Sequence, residues 1–168
     1  MKFILTAILV FAWASPLWAE PIGDAIRDVP IFDAHMHYKQ PAWAPYPVDA
    51  VISLMDTNSV AIAAVSSTPD DGTIRLWKYA PARITPVLRP YHDGAGSTNW
   101  TKAPGMQAYL EKRIAEFSHK GIGEFHLNNT DPEDRPLLRE IARIALARNI
   151  PLHIHADAEP VRMMFEVE

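Results

Sequence analysis

His35 and His37 stand one residue apart at the end of Pro30-Ile31-Phe32-Asp33-Ala34-His35-Met36-His37, an apolar run of strand length. Residues i and i+2 of a strand point to the same face, so both imidazoles can reach one ion. Imidazole nitrogen is a ligand for zinc and, at other geometries, for manganese, nickel or iron. A second pair, His153 and His155, closes Pro151-Leu152-His153-Ile154-His155-Ala156, with Asp157 at the same parity. Glu124 and His126 likewise share a face of Gly121-Ile122-Gly123-Glu124-Phe125-His126-Leu127. One His-x-His pair is a weak signal, but two that each close an apolar run are harder to dismiss. Five of the seven histidines fall in these three segments. The chemistry such a set supports is the binding of a divalent metal and, through it, the activation of water. Within the set, His153 lies one layer deeper than His155 and reads as an interior histidine. Asp33 reads equally as an orienting partner for a ligand or as packing beneath it.

The elements that must position these groups alternate along the chain. Strand-like runs occur at Ile31–His37, Val60–Ser66, Ile84–Tyr91, Gly121–Leu127 and Ile150–Ala156, and helix-like stretches at Pro47–Asn58, Asp71–Ala80, Met106–Lys120 and Pro132–Asn149. The last helix has the fullest signature: Asp131 to cap it, Pro132 in its first turn, and a stripe of Leu137, Leu138, Ile141, Ile144 and Ala145. Strands alternating with helices predict βα units and a parallel sheet. Functional groups of such sheets gather at the C-terminal ends of the strands. The polar residues do fall there: Ser66, Ser67 and Thr68 after the second strand, Arg89, Tyr91 and His92 at the third. Arg89, His92 and His126 are therefore candidates for stabilising developing negative charge or binding a substrate carboxylate. Arg89 also reads as the partner of a carboxylate, and His92-Asp93-Gly94 as turn chemistry. His119, beside Lys120 at the end of the third helix, reads as a helix C-terminal cation. Residues 90–104 form a longer loop after the third strand, and Trp43 and Trp100 line or cover a pocket.

Composition bounds the rest. Of 168 residues, 48% are hydrophobic and 21% charged, which describes a globular chain with enough apolar surface for a core. A formal net charge of −4 makes no electrostatic case for nucleic acid or anionic lipid. Lys2, the apolar stretch from Phe3 to Trp13 and the small residues up to Ala19 have the pattern of a secretory signal peptide, residues 1–19. The apolar stretch is shorter than the roughly 20 residues a membrane span needs, so no stable anchor is expected after cleavage. The sequence has no cysteine, so neither a lipid-modified N-terminus nor a disulfide framework is available. The expectation is an exported protein, periplasmic or secreted, with one domain from residue 20 to 168.

Three motifs in order carry a family resemblance. Ile31-Phe32-Asp33-Ala34-His35-Met36-His37 resembles the first strand of the amidohydrolase superfamily of metal-dependent hydrolases. Gly121-Ile122-Gly123-Glu124-Phe125 resembles the fourth strand of the branches that include the TatD-like nucleases, and Pro151–Ala156 the fifth. The resemblance implies His35, His37, Glu124 and His155 as metal ligands, holding one or two ions, zinc before manganese, nickel or iron. It implies an α/β fold, an incomplete TIM (β/α)8 barrel of about five βα units. Members of the family take a further histidine from the sixth strand and an aspartate from the eighth, and a complete barrel needs about 250 residues. The chain is accordingly expected to be the N-terminal part of a longer enzyme, inactive alone, with the catalytic aspartate beyond residue 168. The complete protein is expected to hydrolyse a small-molecule amide, ester, lactone or phosphoester. A metal-dependent decarboxylase on the same scaffold, or a catalytically incomplete half-barrel, are the alternatives.

Overall fold

The computed structural model describes residues 29–128 and 131–166. The signal-peptide segment lies outside the described residues. Five strands, β1 (Ile31–Met36), β2 (Val60–Val65), β3 (Ile84–Leu88), β4 (Gly121–Leu127) and β5 (Leu152–Ala156), form one sheet in that order. Every neighbouring pair is parallel. The sheet curls into a half-barrel with helices between the strands. These are α1 (Val48–Thr57), α2 (Asp71–Tyr79), α3 (Met106–Glu116), α4 (Arg135–Arg148) and, after β5, α5 (Ala158–Glu166). Among the described residues no helix is long and apolar enough to cross a membrane.

Strand ends are set by residues that cannot extend the ladder. The sequence predicts the third strand through Tyr91, but it stops at Leu88, two residues before Pro90, which has no N–H to donate. The fifth begins at Leu152 rather than Ile150, because Ile150 N–H is still bonded to Ala145 O at the end of α4. Asn149 adopts the left-handed conformation there, with φ 52°, and closes the helix. At the other end, the turn Pro132–Asp134 is a 3₁₀ helix and the α-helix starts at Arg135. Asp131 caps that turn by accepting from Glu133 N–H at 3.0 Å. The α3 helix ends at Glu116, because Phe117 is extended, so His119 lies beyond it.

The core is in two parts. Tyr38, Val51, Met55, Ala63, Val65 and Leu76 pack under β1, β2, α1 and α2. Leu88, Trp100, Leu110, Ile122, Phe125 and Ile141 belong to a larger cluster under β3, β4, α3 and α4, joined by Met163 and Met164 of α5. Each large side chain fully withdrawn from water contributes about 1.5–3 kcal/mol. Trp100, from the long loop, is a core residue, and its indole N–H donates to His126 O at 2.8 Å.

Between the two clusters runs a buried ion pair that no local sequence pattern announces. Asp70, fully buried just before α2, receives Arg113 Nε at 2.8 Å from α3, and His119 Nε2 lies 3.1 Å from the same carboxylate oxygen. His119 is thus a buried partner of Asp70, which corrects its reading as a helix C-terminal cation.

Candidate metal centre

The tips of β1, β4 and β5 meet. His35 is on β1, and His37, the end of the strand expected from the sequence, directly follows the last strand residue, Met36. Their Nε2 atoms are 2.9 Å apart. Asp33 Oδ1 accepts the backbone N–H of His35 at 2.9 Å, so Asp33 stiffens the end of the strand. His37 Nδ1 lies 2.5 Å from Ser66 O. A carbonyl only accepts, so Nδ1 carries the proton and Nε2 presents a bare lone pair. That is the arrangement in which a ligating histidine is usually oriented by a neighbour.

Glu124, on β4, faces both nitrogens. Its Oε2 is 3.4 Å from His35 Nε2 and 3.2 Å from His37 Nε2. Its other oxygen, Oε1, is 2.9 Å from His155 Nδ1 on β5. The carboxylate accepts there, leaving His155 Nε2 without a proton in the neutral ring. Gly123 makes this possible: its φ is +137°, and a Cβ at that position would overlap the carbonyl of His153 on the adjacent strand. His153 itself packs edge-on against His35, with ring centroids 4.6 Å apart.

Arg89, buried at the tip of β3, is committed to the same carboxylate. Its Nε donates to Glu124 O at 3.1 Å and its terminal nitrogen to Oε2 at 2.8 Å. Burial pushes the Glu124 carboxyl up, but the hydrogen bond with His155 and the charges of Arg89 and the nearby histidines outweigh it and hold it at about 2. Burial lowers the pKa of His37, His126 and His153, which keeps those rings neutral and fit to ligate or to donate.

His126 joins through Tyr91. The tyrosine hydroxyl accepts the backbone N–H of His126 at 2.9 Å, bonds with Arg89, and sits 2.7 Å from His126 Nδ1. With its lone pairs occupied, the hydroxyl donates to Nδ1, which puts the ring proton of His126 on Nε2. The ring of His126 stacks on that of His155 at 4.2 Å. Tyr91 was placed at a strand tip by its position in the sequence, but its role in orienting His126 depends on contacts the sequence does not display.

Two overlapping sets have metal-ligand spacing: His35, His37 and Glu124, and Glu124, His126 and His155, with ligand atoms within 4.8 Å of one another in each set. Glu124 belongs to both. Nitrogen and carboxylate donors of this kind could hold a metal ion, and the bare Nε2 atoms of His37 and His155 fit that use, whereas His126 carries its proton on Nε2 and stands beside them as a donor. Of the residues expected to meet substrate, Arg89 and His126 are within the cluster. His92 is not: its Nδ1 lies 3.1 Å from Asp93 Oδ2 and its ring stacks on Tyr109. No family model matches the chain, and no curated protein matches it.

Proposed function

We propose that this half-barrel is the N-terminal part of a (β/α)8 metal-dependent hydrolase, exported, that cleaves a small-molecule amide, ester, lactone or phosphoester. The observation that carries the reading is the convergence of His35, His37, Glu124 and His155 from three strand tips, with Glu124 shared between two ligand-spaced sets. His35, His37, Glu124 and His155 would hold a zinc-class ion there, and it would supply the Lewis acidity that makes hydroxide available from water near neutral pH. The residues of the chain prepare the place. Arg89 keeps Glu124 ionised and fixes its two oxygens toward different histidines. Ser66 holds His37 in the tautomer with a free Nε2. His126 Nε2–H is a neutral donor positioned to meet a developing oxyanion.

The test is zinc content. Purified protein is expected to retain zinc after desalting, and the double variant His35→Ala, His37→Ala to lose it while keeping its far-UV circular dichroism. Equal zinc in both proteins would remove the site. In the intact protein, hydrolysis of a panel of chromogenic esters, lactones, anilides and phosphoesters should depend on zinc and fall at least about a thousandfold in the double variant, as expected where a metal supplies several kcal/mol of transition-state stabilisation.

A further inference from the structure

Arg89 reaches the ligand-spaced atoms themselves. Its Nη2 donates to Glu124 Oε2 at 2.8 Å, and Oε2 is the oxygen that faces His35 and His37. Its Nη1 lies 3.4 Å from Nδ1 and 3.5 Å from Nε2 of His37, so the guanidinium rests against the ring of one candidate ligand and the carboxylate of another. Two further contacts fix it there. Nε donates to the main-chain oxygen of Glu124 at 3.1 Å, and the guanidinium carbon lies over the Tyr91 ring, 4.7 Å from its centre. Arg89 and Glu124 are both buried. Among the described residues Glu124 is the only carboxylate of either ligand-spaced set and the only acid that Arg89 meets. A carboxylate withdrawn from water needs a cation beside it, and here Arg89 is that cation. A divalent ion held by His35, His37 and Oε2 would compete with Arg89 for the same oxygen. It would also stand close to a fixed like charge, in an interior where charges are poorly screened. Keeping Glu124 ionised favours an ion, whereas sharing Oε2 and repelling the ion oppose it. Burial decides between these effects: Glu124 needs some cation to stay charged, and an ion with two charges meets that need without Arg89.

We propose that Arg89 is an internal competitor of the metal, a counter-cation of Glu124 that holds down the affinity of the centre by contesting Oε2 with a divalent ion. The inference rests on the metal-centre reading of the histidine–glutamate cluster and adds its regulation: occupancy follows the supply of zinc, because every ion that binds displaces or shares the hold of Arg89 on Glu124. A residue that only positioned Glu124 for the metal would act with the opposite sign, since its removal would weaken zinc binding.

The test is the zinc affinity of the parent, Arg89→Lys and Arg89→Gln, measured by competition with a chromogenic chelator. Arg89→Gln is expected to bind zinc at least about tenfold more tightly than the parent, tenfold being the lower end of what a charge-assisted hydrogen bond is worth. Arg89→Lys keeps the charge and should stay closer to the parent. Removing one partner of a buried ion pair destabilises the fold, so Arg89→Gln should melt early, or fail to fold, in excess chelator. Zinc should restore the circular dichroism of the parent, because the ion replaces the missing cation. Adding His35→Ala and His37→Ala to Arg89→Gln should abolish the tight binding. Equal or weaker zinc binding in Arg89→Gln, a variant that zinc does not refold, or tight binding that survives loss of the two histidines would each overturn the proposal. Zinc uptake by the parent together with any of these results removes the competition alone and leaves the metal centre. A parent that takes up no zinc removes both. Tighter zinc binding in Arg89→Gln, with no ester, lactone, anilide or phosphoester cleaved by the intact protein, keeps the competition and removes the hydrolase reading.

Discussion

The carbonyl of Ser66 sits 2.5 Å from His37 Nδ1, and this one contact determines which nitrogen of the ring can ligate. Desolvation then lowers the pKa of His37, His126 and His153, so these rings are neutral in the fold and charge readily only in the unfolded chain, where a histidine titrates near about 6.5. A depressed folded value means that the contribution to stability is present above the unfolded pKa and is lost as pH falls below it. Glu124 follows the same sign in a lower window: its advantage is present above its ordinary 4.5 and is lost as pH falls toward about 2. The urea midpoint of the metal-free protein should therefore drop as pH is lowered from 7.5 to 5, and drop again below 4. A midpoint that is flat from 7.5 to 5 would contradict the neutral-ring assignment. His35, His37, Glu124 and His155 were all legible as strand-tip residues of matching parity. Their tautomers were not, because those depend on Ser66 and Tyr91, far from them in the chain.

At the scale of elements, the alternation of five strands and the helices between them was readable from apolar periodicity, and the misplacements are confined to ends. Pro90 and the left-handed Asn149 explain two of them. The reading of His119 failed for a different reason. A histidine after a helix satisfies a local rule, yet this one is drawn into the interior by Asp70, which α2 begins beside and α3 reaches with Arg113. Asp70→Asn keeps the volume and removes the charge, leaving Arg113 and His119 facing a neutral amide. Breaking a buried pair in this way typically costs about 3–5 kcal/mol. Chemical denaturation should show a loss of about 3 kcal/mol or more, and a change below 1 kcal/mol would mean that α2 and α3 are held together by apolar packing alone.

At the scale of the molecule, the half-barrel has two hydrophobic clusters, one under β1 and β2 and one under β3, β4 and the later helices. The histidine–glutamate cluster spans them, with His35 and His37 belonging to the first part and Glu124 and His155 to the second. An ion held by both parts would bind the folded chain and not the unfolded one, so zinc at a hundred times its dissociation constant should add about 2.7 kcal/mol to stability. His37→Ala should abolish that increment, and an increment that survives the substitution would place the ion elsewhere. Two apolar patches stay exposed: Phe32 of β1 lies opposite Ile62 of β2, and Phe165 of α5 and Leu146 of α4 border an open cavity of about 690 Å³ beside β5. By itself the sequence determined the period of each element and hence which side chains share a face, because parity in a strand is a property of the local backbone. It also placed the polar residues at strand ends. Only the tertiary structure decided that three of those ends converge, that Arg89 is committed to Glu124, and that Asp70 takes His119. Those pairings join residues 30 to 50 or more positions apart, and they follow from the order and curl of the sheet rather than from any local pattern.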